Sequence, residues 1–319
     1  MTDIARADIS AAYSRIAPHV RRTPLMEAAS PAPAGQGGPI SLKLEFLQHT
    51  GSFKPRGAFN NLLTRPTPPI GCATASGGNH GAAVAYAAAR LGVKARIFVP
   101  EIAAPVKVAK IRRYGAEVVV QGADYFDALA LCEAYVRESG ALSIHAYDSL
   151  ETIAGQGSVA LEWEEDLAKM GAPALDTALV AAGGGGLIAG VAAWFAGKTK
   201  VVGVEPEGSR ALGAALDAGR PVDVEVNSIA ADSLGARRIG ERVYAIARRA
   251  VSKCVVVRDE AIREAQLTLW RDFCIVAEPG GAAAYAAVAS GAYRPEPGER
   301  VGVLLCGANA DLAAFARQG

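Results

Sequence analysis

Lys54 is the side chain in this sequence with the clearest capacity for covalent chemistry. It lies in the segment LEFLQHTGSFKPRGA (residues 44–58), after a Thr-Gly-Ser turn and just before a predicted helix. The positive end of a helix dipole disfavours a cation, so we expect a lowered pKa for the Lys54 amine. An amine that loses its proton near neutral pH can act as a nucleophile. Its position alone is also compatible with a solvated surface lysine.

The turn SGGNHG (residues 76–81) is the first of two candidate anion sites. It joins a predicted strand to a strongly helical run, and the backbone N–H groups at such a junction point toward whatever lies at the helix N-terminus. Ser76 and Asn79 add side-chain donors, so a carboxylate or a phosphate is the expected ligand. The alternative is an ordinary βα turn with Asn79 as the helix N-cap. His80 fits a structural histidine better than a catalytic base.

The second candidate anion site is a run of four glycines in ALVAAGGGGLIAGVAA (residues 178–193), namely Gly183, Gly184, Gly185 and Gly186. Between a buried strand and an apolar helix, this loop offers only backbone N–H groups, which suit a phosphate. We expect phosphate binding because tight packing alone would not require four glycines. The loop lacks the Lys and Ser/Thr of a triphosphate-binding loop, and its match to a dinucleotide-binding pattern is loose.

Cys306 lies in VLLCGANADL (residues 303–312), where a predicted buried strand ends and a turn follows. It can be read as a small buried apolar residue. The carboxyl ends of parallel strands are also where open α/β sheets bind ligands, so Cys306 is a candidate site residue.

Composition and charge exclude several classes of function. The 319 residues include 33 Lys+Arg and 32 Asp+Glu, for a formal charge of +1, so no overall basic surface favours nucleic acid or an anionic membrane. Residues 177–197 carry no charge, but the four glycines within them argue against a spanning helix. The five cysteines form no CxxC pair, and MTDIARADIS at the N-terminus lacks a signal-peptide pattern. We therefore expect a cytoplasmic protein.

Short β-branched runs alternate with longer Ala-rich stretches, which predicts a parallel sheet with crossover helices. The predicted strands are Ile40–Glu45, Gly71–Ala75, Ala95–Val99, Glu117–Val120, Ala178–Ala182, Val201–Val204, Cys254–Val257 and Val301–Leu305. The predicted helices are Asn79–Leu91, Ala104–Tyr114, Tyr125–Ser139, Gly157–Met170, Leu187–Phe195, Glu260–Phe273 and Gly281–Ala289. A chain of this length favours two lobes that share a cleft at the strand ends.

Taken in order, these motifs resemble the fold-type II (tryptophan-synthase-β-like) pyridoxal-phosphate enzymes, and among them the serine/threonine dehydratase and serine racemase family. The resemblance extends over roughly residues 10 to 315 and also includes IAGQG (153–157), GVEP (203–206) and AEPGGAAA (277–284). It implies a two-lobed α/β fold with a large cofactor-binding domain (residues 1–48 and 149–319) and a small substrate-binding domain (residues 49–148). A homodimer is usual for such enzymes.

The resemblance also implies a role for each site residue. Lys54 would be the Schiff-base lysine of pyridoxal 5′-phosphate, and Phe53 would lie against the cofactor ring. Asn79 would hydrogen-bond the 3′ oxygen of the ring, Gly235 would line the ring through its backbone, and Cys306 would face the pyridine nitrogen. The phosphate would be held by Gly183, Gly184, Gly185 and Gly186. The substrate carboxylate would be bound by the turn that contains Ser76, Gly77, Asn79 and His80.

The activity implied by the resemblance is conversion of L-threonine or L-serine into a 2-oxo acid and ammonia by β-elimination. A neutral Cys306 beside the ring nitrogen favours such an elimination over transamination. The alternatives are β-replacement or racemisation of amino acids on the same cofactor, a dehydratase of another β-hydroxy amino acid such as 3-hydroxyaspartate, and a phosphate-binding module without enzymatic activity. Racemases of this family carry a serine, the second base, where this chain has Gly77, so we favour the dehydratase.

Two further features bear on metal dependence and regulation. Racemase-like members bind a divalent cation through a glutamate after Gly-Val and a later carboxylate. Glu205 is present here, but Ala211 stands at the later position, so no metal is predicted and Glu205 is read as a solvated strand-end acid. The sequence ends at Gly319 without the amino-acid-sensing domain of biosynthetic threonine dehydratases, which suggests an unregulated or catabolic form.

Overall fold

The computed structural model describes residues 4–32 and 38–316 of the chain. The strands, in chain order, are β1 (Leu25–Ala28), β2 (Ile40–Lys43), β3 (Cys72–Ala75), β4 (Ala95–Val99), β5 (Glu117–Val120), β6 (Leu142–Ser143), β7 (Thr177–Ala181), β8 (Lys200–Pro206), β9 (Val251–Val257) and β10 (Val301–Leu304).

Helices alternate with these strands along most of the described chain. They are α1 (Arg6–Ile16), α2 (Lys54–Thr64), α3 (Asn79–Arg90), α4 (Pro105–Arg113), α5 (Tyr125–Ser139), α6 (Leu150–Lys169), α7 (Gly186–Phe195), α8 (Ala211–Ala218), α9 (Ala231–Leu234), α10 (Glu241–Ala250), α11 (Asp259–Phe273), α12 (Pro279–Ala289) and α13 (Leu312–Ala316). Two short 3-10 turns, Glu45–Leu47 and His49–Gly51, connect β2 to α2. Within the described residues no helix is both long and apolar enough to cross a membrane.

The strands form two sheets. The six-stranded sheet has the order β1-β2-β10-β7-β8-β9, in which β1 runs antiparallel to β2 and the other neighbouring strands run parallel. The four-stranded sheet has the order β5-β4-β3-β6 and is parallel throughout. Every residue of β7 and β10 is buried, as expected for parallel strands that are covered on both faces. The predicted α/β class with parallel sheets is confirmed.

The two sheets draw on different parts of the sequence. The strands of the four-stranded sheet all lie between Cys72 and Ser143, and those of the six-stranded sheet come from both sides of that segment. This arrangement is compatible with the predicted domains, 49–148 on one side and 1–48 with 149–319 on the other. The exact division stays a prediction.

The predicted strands lie within three residues of the observed ends, but α6 begins at Leu150 rather than at Gly157. The glycines of IAGQG obscured its first turns. Their role is close packing of helices, because a Cβ atom on Gly157 would lie 2.8 Å from the carbonyl oxygen of Gly190 in α7. The sequence patterns did not predict the short or polar elements α1, α8, α9, α10, α13, β1 and β6.

Candidate active site

The chain segments that follow β2 and β10 bring Lys54 and Cys306 together. The N–H of Phe53 donates to the carbonyl of Cys306 at 3.2 Å, and the N–H of Ala308 donates to the carbonyl of Gly51 at 2.9 Å. Ser52 and Gly307 also form an isolated antiparallel bridge. Because β2 and β10 are neighbouring parallel strands, both segments leave the six-stranded sheet at its carboxyl edge. The lysine and the cysteine of the sequence prediction therefore share one site.

The Lys54 amine lies in a partly buried position and donates to the carbonyl oxygen of Ala146 at 2.9 Å. Burial lowers its pKa to about 8, while Cys306 and Glu278 act in the opposite direction. The lowered pKa was predicted, but from the helix dipole, whereas desolvation is its main cause here. At pH 7 roughly a tenth of such amines are neutral, far more than for an ordinary lysine.

A buried network of charges fixes the first turn of α2, on which Lys54 lies. The Arg56 guanidinium donates to Glu45 at 2.6 Å, to Glu162 at 2.8 Å and to the Ser158 hydroxyl at 3.1 Å. The side chains of Arg56, Glu45 and Glu162 are completely buried. The network ties α2 to α6 and to the turn after β2, so the backbone of Lys54 has little freedom to move.

The four-glycine loop connects β7 to α7, and each of its glycines has a close neighbour. A Cβ atom would lie 2.7 Å from Leu234 at Gly183, 2.3 Å from the Tyr147 ring at Gly184, 2.4 Å from Val243 at Gly185 and 2.7 Å from the Tyr147 carbonyl at Gly186. Gly185 also adopts a φ of +82°, which favours glycine. The expectation that packing alone would not require four glycines is therefore wrong.

The same loop keeps the properties of an anion site. Its last residue begins α7, and the N–H groups of the first turn of an α-helix have no acceptor within the helix. Gly184 is partly exposed, whereas Gly183, Gly185 and Gly186 are buried. The packing and the anion-binding interpretations are compatible. Tyr147 and Leu234 leave no room for side chains on the loop, and a loop without side chains keeps its main chain bare.

The turn before α3 is accessible at residues 76–79. The Ser76 hydroxyl accepts the N–H of Gly78 at 3.2 Å, and α3 begins at Asn79. The His80 ring is buried, with Nε2 3.0 Å from both the Thr74 hydroxyl and the Ile144 carbonyl. Burial lowers the pKa of His80 to about 3, so the ring is neutral at physiological pH. The structural interpretation of this histidine fits these contacts.

Asn79 and Glu278 form a pair that the sequence analysis did not assign. The Asn79 amide donates to the Glu278 carboxylate at 2.6 Å and accepts from the Asn309 amide at 2.6 Å. Glu278 is buried, and burial raises its pKa to about 7 although the Asn79 bond opposes the shift. The glutamate lies in the AEPGGAAA motif, but only the tertiary structure brings it to Asn79, because it precedes α12 and Asn79 begins α3.

Cys306 and Gly235 follow different strands of the six-stranded sheet: Cys306 comes after β10, and Gly235 lies between β8 and β9. The Cys306 thiol is buried and approaches the Gly280 carbonyl at 3.6 Å. Burial raises its pKa to about 12, so the group is a neutral thiol. Gly235 directly follows α9, and the backbone of Leu234, the last residue of that helix, packs against Gly183. Cys306 therefore lies beside the segment that carries Lys54, and Gly235 lies beside the four-glycine loop.

Glu205 has a structural function that differs from both earlier interpretations. Its side chain is completely buried, and it accepts the N–H groups of Leu212 at 2.7 Å and Gly213 at 2.8 Å. The reading as a solvated strand-end acid is wrong, because the carboxylate caps the N-terminus of α8. Among residues 4–32 and 38–316, no group of three or more His, Cys, Asp or Glu side chains is arranged to hold a metal ion.

The fold and the site together define a class of protein. A partly buried lysine amine, a main-chain anion site and a neutral thiol, all at the ends of parallel strands, suit a phosphorylated aldehyde cofactor. The family described as "Pyridoxal-phosphate dependent enzyme" matches residues 16–307. The chain belongs to this family, and its cofactor is pyridoxal 5′-phosphate.

Individual relatives are similar to this chain over nearly its whole length. Phenylserine dehydratase of Ralstonia pickettii is 39% identical over 316 residues, which are 97% of this chain and 94% of that protein. The structure is similar to a threonine deaminase from T.th., with a TM-score of 0.88 and 38% identity over 97% of this chain and 99% of the other. It is also similar to maize serine racemase, with a TM-score of 0.89 and 32% identity over 98% and 96% of the two chains.

Proposed function

We propose that this protein is an ammonia-lyase that converts a β-hydroxy L-amino acid into a 2-oxo acid and ammonia by β-elimination. The observation that carries the proposal is the Lys54 amine, whose pKa of about 8 results from burial at the edge where the four-glycine loop and Cys306 also lie. The phenylserine dehydratase and the threonine deaminase among the relatives support the same reaction type.

The residues present fit the cofactor. We assign its aldehyde to Lys54, its phosphate to the bare main chain of Gly183–Gly186 and its ring nitrogen to the neutral thiol of Cys306. Phe53, Asn79 and Gly235 would contact the ring. When bound, pyridoxal phosphate withdraws electrons from the substrate's α-carbon and so makes the α-proton acidic.

The protein groups have separate tasks in the reaction. The freed Lys54 amine accepts the α-proton, for which an amine with a pKa near the working pH is suited. The backbone N–H groups of the 76–81 turn hold the substrate carboxylate. The bond from Asn79 to Glu278 fixes the Asn79 amide. The substrate loses its β-hydroxyl as water, and hydrolysis of the nitrogen-bearing product takes up one water, so the net products are the 2-oxo acid and ammonia.

Elimination is favoured over racemisation by the environment of Gly77. This residue has no side chain that could donate a proton to the opposite face of the substrate. A Cβ atom there would lie 3.0 Å from both Val99 and Ala103, so even a serine would need its neighbours to shift. D-serine formation at a rate comparable to pyruvate formation would contradict this argument.

Location and assembly are separate proposals. All five cysteines are free of disulfides, which suits the reducing cytoplasm. We infer a cytoplasmic homodimer, and light scattering of the purified protein tests its mass.

Replacement of the lysine tests the central assignment. Lys54→Ala and Lys54→Arg should both lose 2-oxo acid formation by at least about a thousandfold, because neither has an amine that can give up its proton. Both should also lose the visible absorbance of lysine-bound cofactor. The exposed Lys198→Ala is the matched control. Retained turnover in Lys54→Ala would refute the proposed mechanism.

A further inference from the structure

Two aromatic side chains at the beginning of α5, Tyr125 and Phe126, are open to solvent and have no part in the chemistry described above. Tyr125 is 39% exposed and Phe126 is 46% exposed. Asp124 caps the helix by accepting the N–H of Phe126 at 2.8 Å, so the pair is held on an ordered turn. Exposed apolar groups that lie together on an ordered element often mark a binding surface.

Phe126 faces the six-stranded-sheet side of the molecule. The guanidinium carbon of Arg237 lies 4.9 Å from the centre of the Phe126 ring. Arg237 follows Gly235 by two residues, and the adjoining Leu234 packs against the four-glycine loop. The contact therefore spans the gap between α5 and the segment that borders the proposed cofactor site.

The Tyr125 ring lies beside Phe126 and meets it edge-on, with the two ring centres 5.7 Å apart. The Tyr147 ring packs on Gly184, and its hydroxyl donates to the Arg238 carbonyl at 3.2 Å. Tyr147 directly follows Ala146, whose carbonyl accepts the Lys54 amine. Tyr147 therefore lies beside the acceptor of the Lys54 amine, and residues 237–238 contact both Tyr147 and Phe126.

We propose that Tyr125, Phe126 and Tyr147, together called the aryl wall, bind an aromatic β-substituent, so that the substrates are β-hydroxy-β-aryl L-amino acids. The inference rests on the proposed function and adds the substrate class to it. A substrate whose carboxylate is held at the 76–81 turn and whose α-carbon lies at Lys54 can direct its β-group toward this wall. Aromatic rings bind best to other rings that they meet edge-on or with an offset.

The surroundings of the wall favour an aryl group over other β-substituents. A methyl group, as in threonine, would leave most of the three rings without contact. A β-carboxylate would need a cation directed at it, and the Arg237 guanidinium beside the wall lies over the Phe126 ring. Burial and the Asp148 charge keep the pKa of the Tyr147 phenol above its ordinary value, so the wall is uncharged at neutral pH.

Substrate selectivity is the direct test. The holoenzyme is assayed with L-threo-phenylserine, L-threonine and L-threo-3-hydroxyaspartate. We expect kcat/KM for phenylserine to exceed that for threonine by at least about tenfold, and Phe126→Ala to reduce this ratio about tenfold. Phe126→Leu, which keeps an apolar side chain, should reduce it less. Trp270→Ala removes an equally exposed aromatic (47%) from α11 and should leave the ratio unchanged.

A binding measurement separates recognition from turnover. L-Phenylalanine has the aryl group but no β-hydroxyl to eliminate, so its dissociation constant can be compared with that of L-alanine. The wild-type protein should bind L-phenylalanine more tightly, and Phe126→Ala should remove most of the difference.

The possible failures are distinguishable. A preference for threonine or 3-hydroxyaspartate, or an equal loss on all three substrates in Phe126→Ala, would overturn the aryl wall and leave the proposed function in place. Absence of 2-oxo acid from every substrate would overturn the proposed function itself.

Discussion

Lys54 and Arg56 are two cations of the first turn of α2, two positions apart, and their surroundings are opposite. Arg56 is surrounded by carboxylates, and although burial alone would lower its pKa, Glu45 and Glu162 hold the pKa above its ordinary value. The Lys54 amine contacts a neutral carbonyl, that of Ala146, and burial lowers its pKa to about 8. One turn of helix therefore holds a permanent charge beside a group that can release its proton.

The difference shows how a reactive amine is kept in place. A buried cation without a carboxylate is costly, since desolvation is not compensated by a nearby opposite charge. The neighbouring Arg56 network supplies the fixed contacts that Lys54 itself lacks. We therefore expect changes at Arg56 to act on stability and changes around Lys54 to act on chemistry and cofactor binding.

Removal of the Arg56 side chain should have the largest effect on folding. Arg56→Ala leaves the buried Glu45 carboxylate without its cation and leaves Glu162 with only the Lys43 amine, at 3.4 Å, which should cost about 3–5 kcal/mol of unfolding free energy. Chemical denaturation measures the loss. The control is Arg96→Ala, which breaks the exposed 2.8 Å pair with Glu117 and should cost no more than about 1 kcal/mol. Equal losses in the two variants would show that the buried network has no special role.

Gly184→Ala tests cofactor binding beside Lys54, at the proposed phosphate site, where the main chain must stay free of side chains. The added methyl would meet the Tyr147 ring at 2.3 Å, so the ring must move. We expect a loss of about 1–3 kcal/mol in stability, as for other overpacked sites, and weaker binding of pyridoxal phosphate in a fluorescence titration. Gly38→Ala, where nothing lies within 4 Å of the added atom, is the matched control. Unchanged cofactor affinity in Gly184→Ala would contradict the phosphate assignment.

The sequence was sufficient to predict those elements and positions that depend only on a local residue pattern. Strands β4 and β5 and helix α5 have the predicted bounds, since each is a regular apolar pattern between clear turns. The position of Lys54 before α2 and the junction of the four glycines with α7 were also readable. These features need only neighbouring residues to be recognised.

Contacts between residues that are distant in the sequence could not be predicted from it. The Arg56 network joins α2 to Glu162 on α6, and Glu278 reaches Asn79 only through packing of α12 near α3. Glu205 could not be recognised as a helix cap, because α8 was not predicted. The cause of the lowered Lys54 pKa was misjudged for the same reason, since burial is a property of the assembled fold and not of the first turn of a helix.

Glu278 offers the most specific test, because its effect depends on pH. Its pKa is raised from 4.5 to about 7, so between these values the folded state holds a proton that the unfolded state releases. Stability should therefore be highest below pH 4.5 with respect to this group and fall as the pH rises toward 7, by at most about 1.4 kcal/mol per pH unit. Glu278→Gln keeps an oxygen that can accept the Asn79 amide but cannot ionise. Its unfolding free energy, relative to wild type, should rise across this interval and level off above pH 7. A difference that stays constant from pH 4.5 to 8 would show that the Glu278 carboxyl ionises at its ordinary pKa, and the Asn79–Glu278 pair would then resemble the permanently charged Arg56 network more than the Lys54 site.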